Sequence, residues 1–265
     1  MNFTFRTVPN VIFETGASAR LGAIVSPRMK RPVVVTDKGV VKAGLIDAAL
    51  ASLKAEGLDY HLFDGIEADP PARVVRHSVE VARAHKADGV IGFGGGSSMD
   101  AAKIIAVLLN STQTLEEIYG IGNIKGWRSA LALVPTTAGT GSEVTDIAVV
   151  TTDDDQKMGV LGDPMFADVA ILDPALTYGL PRPVTAATGV DAMVHAIEAY
   201  TNRHRKNPVS DALAREALRL LAANIVEACE NPSNRQARAN MALGAMLAGQ
   251  AFTNSPVGAV HGMAY

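Results

Sequence analysis

The chain has 265 residues, 48% of them hydrophobic and 19% charged, against roughly 25% charged in an average soluble protein, so disorder is excluded and much of the chain is buried against itself or a partner. Lys+Arg 24 against Asp+Glu 27 gives a net charge of -3, and no basic run could neutralise a row of phosphates, which argues against a nucleic-acid partner. The single Cys229 forbids an internal disulfide, Arg6 and Pro9 break the apolar stretch a signal peptide needs, and aliphatic runs such as Ile104 to Leu109 fall short of the ~18 residues of a membrane span; the expected address is the cytosol, with no membrane partner.

After a strand-like opening (FTFRTVPNVIFETG), RPVVVTD reads as a buried strand. Val41, Leu45, Ala49 and Leu53 then recur at helical spacing and predict one helix, capped by Gly57. A second strand (DYHLFD) is followed by a helix over Pro71 to Lys86 with Val75, Val79 and Ala82 inward. DGVIGFGGG is a strand running into glycines, and SSMDAAKIIAVLL a helix. SALALVPTT and ADVAILDP read as strands, and DIAVVTTDDDQKMGV as a hairpin turning at Asp153 to Asp155. This alternation predicts a parallel sheet covered by helices. After Pro181 and Pro183 the chain becomes Ala-rich, and three helices fit: Thr185 to Tyr200, Pro208 to Glu230 and Pro232 to about Phe252. The expected division is an α/β domain over 1–180 and an all-helical domain over 181–265.

Five segments carry chemistry. Gly94-Gly95-Gly96-Ser97 joins a strand to a helix, a junction whose glycines and free first-turn N–H groups suit a pyrophosphate; an ordinary tight turn is the other reading. The spacing is not Gly-x-Gly-x-x-Gly, since position 97 is Ser, and Ser97 with Asp100 suggests a capping box. Asp37 ends the first interior strand, where a carboxylate can accept from a ribose diol and repel a 2′-phosphate; it also suits a plain turn in TDKG. PTTAGTGSE, Pro135 to Glu143, suits a loop closing over phosphate or ribose, or any Thr/Gly loop.

In GVDAMVHAIEAY, Asp191 and His195 stand four apart on one helical face among apolar residues, which predicts a buried setting for both. A hydrogen-bonded pair is one reading; with His261, a His among small residues, they make a two-His, one-carboxylate set suited to Fe(II), Mn(II) or Zn(II). Glu198 is a structural carboxylate or a support for that set, and His61, His77, His85 and His204 read as surface residues.

GGGSSMDAAK, PTTAGTGSEVT, GVDAMVHAIEAY and GAVHGMAY, in that order, closely resemble the iron-containing alcohol dehydrogenase family. The resemblance implies an α/β N-terminal dinucleotide-binding domain plus an all-α C-terminal domain, dehydroquinate-synthase-like, with cofactor and metal in the cleft between them. It implies that Asp37 holds the adenosine ribose, that Gly95, Gly96 and Ser97 bind the pyrophosphate, and that Thr136, Thr137, Thr140, Lys157 and Leu176 line the cofactor. Asp69 aligns with a further cofactor contact, and Asp191, His195 and His261 with metal ligands. The implied activity is hydride transfer between NAD, rather than NADP, and a small alcohol or aldehyde at an iron centre, in a homodimer. Two departures stand out: the family's further metal-binding His falls beyond Tyr265, which would leave the helical domain incomplete, and Tyr265 stands where some members carry a second His. Maleylacetate reductase, hydroxyacid–oxoacid transhydrogenase or an inactive nucleotide-binding chain are the alternatives within the superfamily. A non-haem iron oxygenase shares the ligand set but leaves the glycine and threonine loops without a purpose.

Overall fold

The computed structural model describes residues 2–264. Among the described residues nine strands are formed: β1 Val11–Phe13, β2 Pro32–Val35, β3 His61–Phe63, β4 Gly89–Gly94, β5 Gly120–Ile121, β6 Ala130–Pro135, β7 Ile147–Thr151, β8 Lys157–Leu161 and β9 Val169–Leu172. The helices are α1 Leu21–Val25, α2 Lys38–Lys42, α3 Asp47–Ala55, α4 Ala72–Ala84, α5 Gly96–Leu108, α6 Arg182–Thr201, α7 Pro208–Glu230, α8 Arg235–Asn254 and α9 Ala259–Ala264.

The chain groups into two units. One comprises Pro9–Pro135 with Asp146–Asp173. The other takes the segment from Pro174 onward, the residues up to Val8, and Thr136–Thr145.

The first unit is built on a six-stranded sheet, order β1-β9-β6-β4-β2-β3, in which every pairing is parallel. Strands β2, β4 and β9 are buried at every position, as continuous aliphatic runs require when both faces are covered. A second sheet, order β5-β8-β7, contains the expected hairpin: β7 and β8 are antiparallel from Ile147↔Leu161 to Thr151↔Lys157, and Asp155 takes a positive φ in the turn. Helix α5 lies hard against the large sheet at Gly92, where a Cβ would meet Ala102 Cβ and a Leu133 methyl, each at 2.7 Å.

Three expectations need correction. The opening strand is confined to Val11–Phe13. The single helix expected over Val41 to Leu53 is two, α2 and α3, because Gly44 takes φ 68, a left-handed conformation that ends the first of them. The Ser97–Asp100 capping box does not form: the N-cap of α5 is Gly95, no side chain caps the helix, and Asp100 Oδ2 instead accepts from Val149 N at 3.0 Å.

In the second unit α6, α7 and α8 pack through small residues. Ala192, Ala196 and Ala199 of α6 share a core with Ala214, Ala217 and Leu221 of α7 and Met241, Ala245 and Ala248 of α8. Asn207 caps α7 by accepting from Ser210 N, and Asn234 caps α8 by accepting from Ala237 N, so both helices start where their first-turn donors are satisfied. Among the described residues no helix is long and apolar enough to cross a membrane.

The main ionic pin of the sheet is Arg128, whose side chain is 4% exposed and whose fork donates to both oxygens of Asp168, at 2.7 and 2.9 Å. Asp168 also accepts from Leu131 N at 2.8 Å, joining the starts of β6 and β9. Burial works to raise the Asp168 carboxyl, but the Arg128 and Leu131 hydrogen bonds and the Arg128 charge outweigh it and hold it below the usual carboxylate range. A depressed carboxylate contributes stability that is present above its unfolded pKa, near ~4, and is lost as pH falls through the folded value. Asp168→Asn is expected to cost about 2 kcal/mol, less than a fully buried pair because Asp168 is partly solvated, and to flatten the acid side of the stability curve. Urea unfolding from pH 7 down to pH 3, followed by far-ultraviolet circular dichroism, checks both.

Candidate metal and nucleotide sites

In the sheet unit, β2 leads outward to β3, whereas β4 enters on the other side of β2, so the chain changes direction between β2 and β4. Open parallel sheets bind ligands outside the strand C-termini at such a point. Asp37 follows β2 there and Gly95 follows β4. Asp37 serves as the N-cap of α2 through Oδ1, which accepts from Val40 N at 3.0 Å, while Oδ2 lies 3.4 Å from Ser98 Oγ. The turn role and a carboxylate at the switch point are therefore both present. A Cβ at Gly94 would meet Ser98 Oγ at 2.7 Å, so the backbone ahead of α5 is stripped of side chains on that side. With no side-chain cap, the first turn of α5 keeps the N–H array and positive dipole end that suit an anion.

The structure also brings together Asp69, Ser97 and Lys157. Ser97 Oγ accepts from Asp69 N at 3.1 Å, and Lys157 Nζ pairs with Asp69 Oδ1 at 2.6 Å. Asp69 takes φ 49, a strained conformation for a non-glycine residue, and its carbonyl accepts from Thr151 Oγ1 at 2.9 Å.

Thr136, Thr137, Thr140 and Leu176 belong to the helical unit. Thr136 and Leu176 are buried, and Thr137 and Thr140 half-buried. The loop can lie on the helices only because its turn residues are glycines: a Cβ at Gly139 would sit 2.6 Å from Thr188 Cβ on α6, and one at Gly141 would sit 2.6 Å from Gly249 Cα on α8. Thr140 Oγ1 accepts from Ser142 N at 3.3 Å.

Asp191, His195 and His261 converge, each offering a ligand atom within 4.8 Å of the others. Asp191 Oδ1 faces Nε2 of His195 at 3.8 Å and Nε2 of His261 at 3.5 Å. The His195 ring stacks between Phe252 and His261, with centroids 4.4 Å away on both sides. The buried setting expected for the pair holds for His195 only. Asp191 is half-exposed, and the apolar residues flanking the motif do not all turn inward: Val190 and Ile197 are 52% and 47% exposed. Of the remaining histidines, His61, His77 and His204 are exposed and His85 is half-buried. Tyr265 lies outside the described residues.

Electrostatics leave the His195 ring able to ligate. Burial drives the His195 pKa down to about 4, with His261 adding to the effect and Asp191, the Gly139 backbone and Glu198 opposing it, so His195 is neutral at pH 7. Its buried Nδ1 finds no hydrogen-bond partner of normal geometry, an orphan that belongs to a ring oriented for another purpose. Glu198, the ambiguous carboxylate of the sequence, contacts His261 Nδ1 through Oε2 at 2.6 Å and accepts from Val260 N through Oε1 at 2.7 Å. Burial raises its pKa, but the Gly258 and Val260 backbone and His261 more than offset this and keep it below the usual range. Two imidazole nitrogens and one carboxylate, without a thiolate, fit Fe(II), Mn(II) or Zn(II).

A family model described as iron-containing alcohol dehydrogenase matches residues 9–174, and one described as Fe-containing alcohol dehydrogenase family, C-terminal, matches residues 185–265. The chain belongs to the iron-containing alcohol dehydrogenase family. It is 43% identical over 258 residues to long-chain-alcohol dehydrogenase 1 of Geobacillus thermodenitrificans, covering 93% of this chain and 61% of that protein. The chain thus spans less than two thirds of that relative's length. Among solved structures it superposes on a 1,3-propanediol oxidoreductase with a TM-score of 0.96 at 37% identity, covering 100% of this chain and 69% of that one. A sulfoacetaldehyde reductase from Bifidobacterium kashiwanohense in complex with NAD+ gives a TM-score of 0.90 at 29% identity, covering 98% of this chain and 69% of that one.

A ligand that binds only the folded protein stabilises it by mass action, about 2.7 kcal/mol at a hundred times its Kd. Adding Zn(II) or Co(II) to the chain is expected to raise its thermal midpoint, and His195→Ala to abolish the rise while leaving the metal-free midpoint within a few degrees. Differential scanning fluorimetry with and without metal reads this directly.

Proposed function

We propose that the protein is an NAD-dependent, iron-dependent dehydrogenase that interconverts small alcohols and aldehydes. The observation that carries the reading is the convergence of Asp191, His195 and His261 through ligand atoms within 4.8 Å of one another. When bound, the divalent metal supplies a Lewis acid for the substrate oxygen and the nicotinamide dinucleotide supplies or accepts the hydride.

The protein's part is positioning. Asp191 brings a negative charge, and His195, neutral at pH 7, brings a lone pair without adding positive charge to a site that must hold a cation; the ring of His261 offers the third ligand atom. Phe252, stacked on His195, walls one side of that ring from water. In the sheet unit, the uncapped turn of α5 and Lys157 offer positive potential to a pyrophosphate, and Asp37 offers acceptors to a ribose diol. The same carboxylate disfavours a 2′-phosphate, which supports NAD over NADP. Thr136, Thr137, Thr140, Leu176 and Asp69 complete the proposed cofactor contacts. A cytosolic homodimer fits the single cysteine and the 19% charge content.

The test is NADH oxidation by short aldehydes, with and without Fe(II) or Zn(II), in the purified protein. Metal-dependent turnover is expected; its absence across the short aldehydes overturns the proposal. Asp37→Ser keeps an N-cap acceptor but removes the charge. It is expected to narrow the preference for NADH over NADPH by about tenfold, equal to ~1.4 kcal/mol, read by titrating the fluorescence of each cofactor.

A further inference from the structure

We infer that Glu198 is a positioning residue: it fixes His261 as the tautomer protonated on Nδ1 and clamps residues 258–261 to α6, so that the lone pair of His261 Nε2 faces Asp191. The inference rests on the reading of Asp191, His195 and His261 as metal ligands, and adds to it a residue that touches no metal.

Both oxygens of Glu198 are committed. Oε2 meets His261 Nδ1 at 2.6 Å and Oε1 accepts from Val260 N at 2.7 Å. Gly258 gives the carboxylate room, since a Cβ there would lie 3.3 Å from Oε1. The side chain is 8% exposed, so water does not compete freely for these contacts. Just ahead of that segment the end of α6 and its C-cap hold the chain again: Ser255 Oγ donates to Ala199 O at 2.7 Å, and Asn202 Nδ2 donates to Pro256 O at 2.7 Å. Those two bonds place the backbone only. Glu198 reaches the imidazole itself.

A carboxylate can only accept, so the hydrogen bond to Nδ1 requires the proton to sit there. Neutral imidazole then carries its lone pair on Nε2, the atom 3.5 Å from Asp191 Oδ1. His195 is held by other means. Its Nδ1 has no such partner, and its orientation comes from stacking between Phe252 and His261. The two rings therefore respond differently to loss of the carboxylate: His261 loses its tautomer and its anchor, whereas His195 keeps its stacking partner Phe252.

Glu198→Gln preserves size and separates these roles. If its carbonyl stays on Val260 N–H, its amide donates to Nδ1 and drives the His261 proton onto Nε2; if the amide flips, two donors confront each other at Val260. Long-range proton–nitrogen NMR of the metal-free protein is expected to show His261 protonated on Nδ1 in the unmodified chain and on Nε2 in E198Q, with His195 unchanged. Co(II) or Zn(II) affinity is expected to fall about 10- to 100-fold in E198Q and to recover in large part in E198D, which keeps the acceptor. A His261 protonated on Nε2 in the unmodified chain, or an E198Q affinity within about twofold of the parent, overturns the inference; the first of these needs no variant to fold. If the unmodified chain takes up neither metal, the metal reading fails, while the tautomer of the metal-free protein still decides the role of Glu198.

Discussion

Helix α6 can carry His195 and Glu198 inward, with Asp191 half-exposed beside them, because the small residues among them let its neighbours come close. Ala192, Ala196 and Ala199 are fully buried against α7 and α8, and Gly189 is so close to them that a Cβ would meet the Met241 methyl at 2.6 Å. Close approach replaces large side chains as the source of packing, and dispersion summed over backbone and Cβ atoms does the work of a leucine core. A bulkier residue at any of these positions would push the helix outward and with it the three polar groups. The ring of His195 and the carboxylate of Glu198 are buried by that packing, so the electrostatic character of the site is set by residues that carry no charge.

The sheet unit solves a different problem with similar means. Its strands end in a region where helix α5 must start without a side-chain cap, and Gly92 and Gly94 let that helix come down onto the sheet. The same glycines that permit packing leave the backbone open at the switch point. Stability here is supplied away from that edge, at the opposite ends of β6 and β9, where Arg128 and Asp168 tie strand starts together.

Much of this was legible in the sequence, for identifiable reasons. Strands β2, β4, β6 and β9 are aliphatic because both faces of a parallel sheet are covered, and α6, α7 and α8 are long enough for their period to show. Asp191 and His195 stand out because a spacing of four puts them on one face. The break between α2 and α3 is hidden, since Gly44 needs a left-handed conformation that the surrounding apolar spacing does not reveal. The capping-box pattern misled because Gly95, not Ser97, occupies the cap, leaving Asp100 to bind a neighbouring strand. The union of Glu198 with His261 spans 63 residues, and that of Asp69 with Lys157 joins the loop before α4 to β8; neither partner has a local signature. Long-range polar pairing depends on the fold being known first.

The contact of Gly139 with Thr188 has a consequence for how this protein can diverge. Thr188 is three residues from Asp191 on the same helix, so the outward turn of the threonine loop and the inward ligands share one short stretch of α6. Between Thr188 and Glu198 the buried positions are already assigned to loop seating, helix packing or polar groups. Drift along that stretch is therefore easiest at the outward positions Val190 and Ile197. Novelty in what the protein accepts enters more readily through residues elsewhere, and this stretch of helix has little freedom to record its own history.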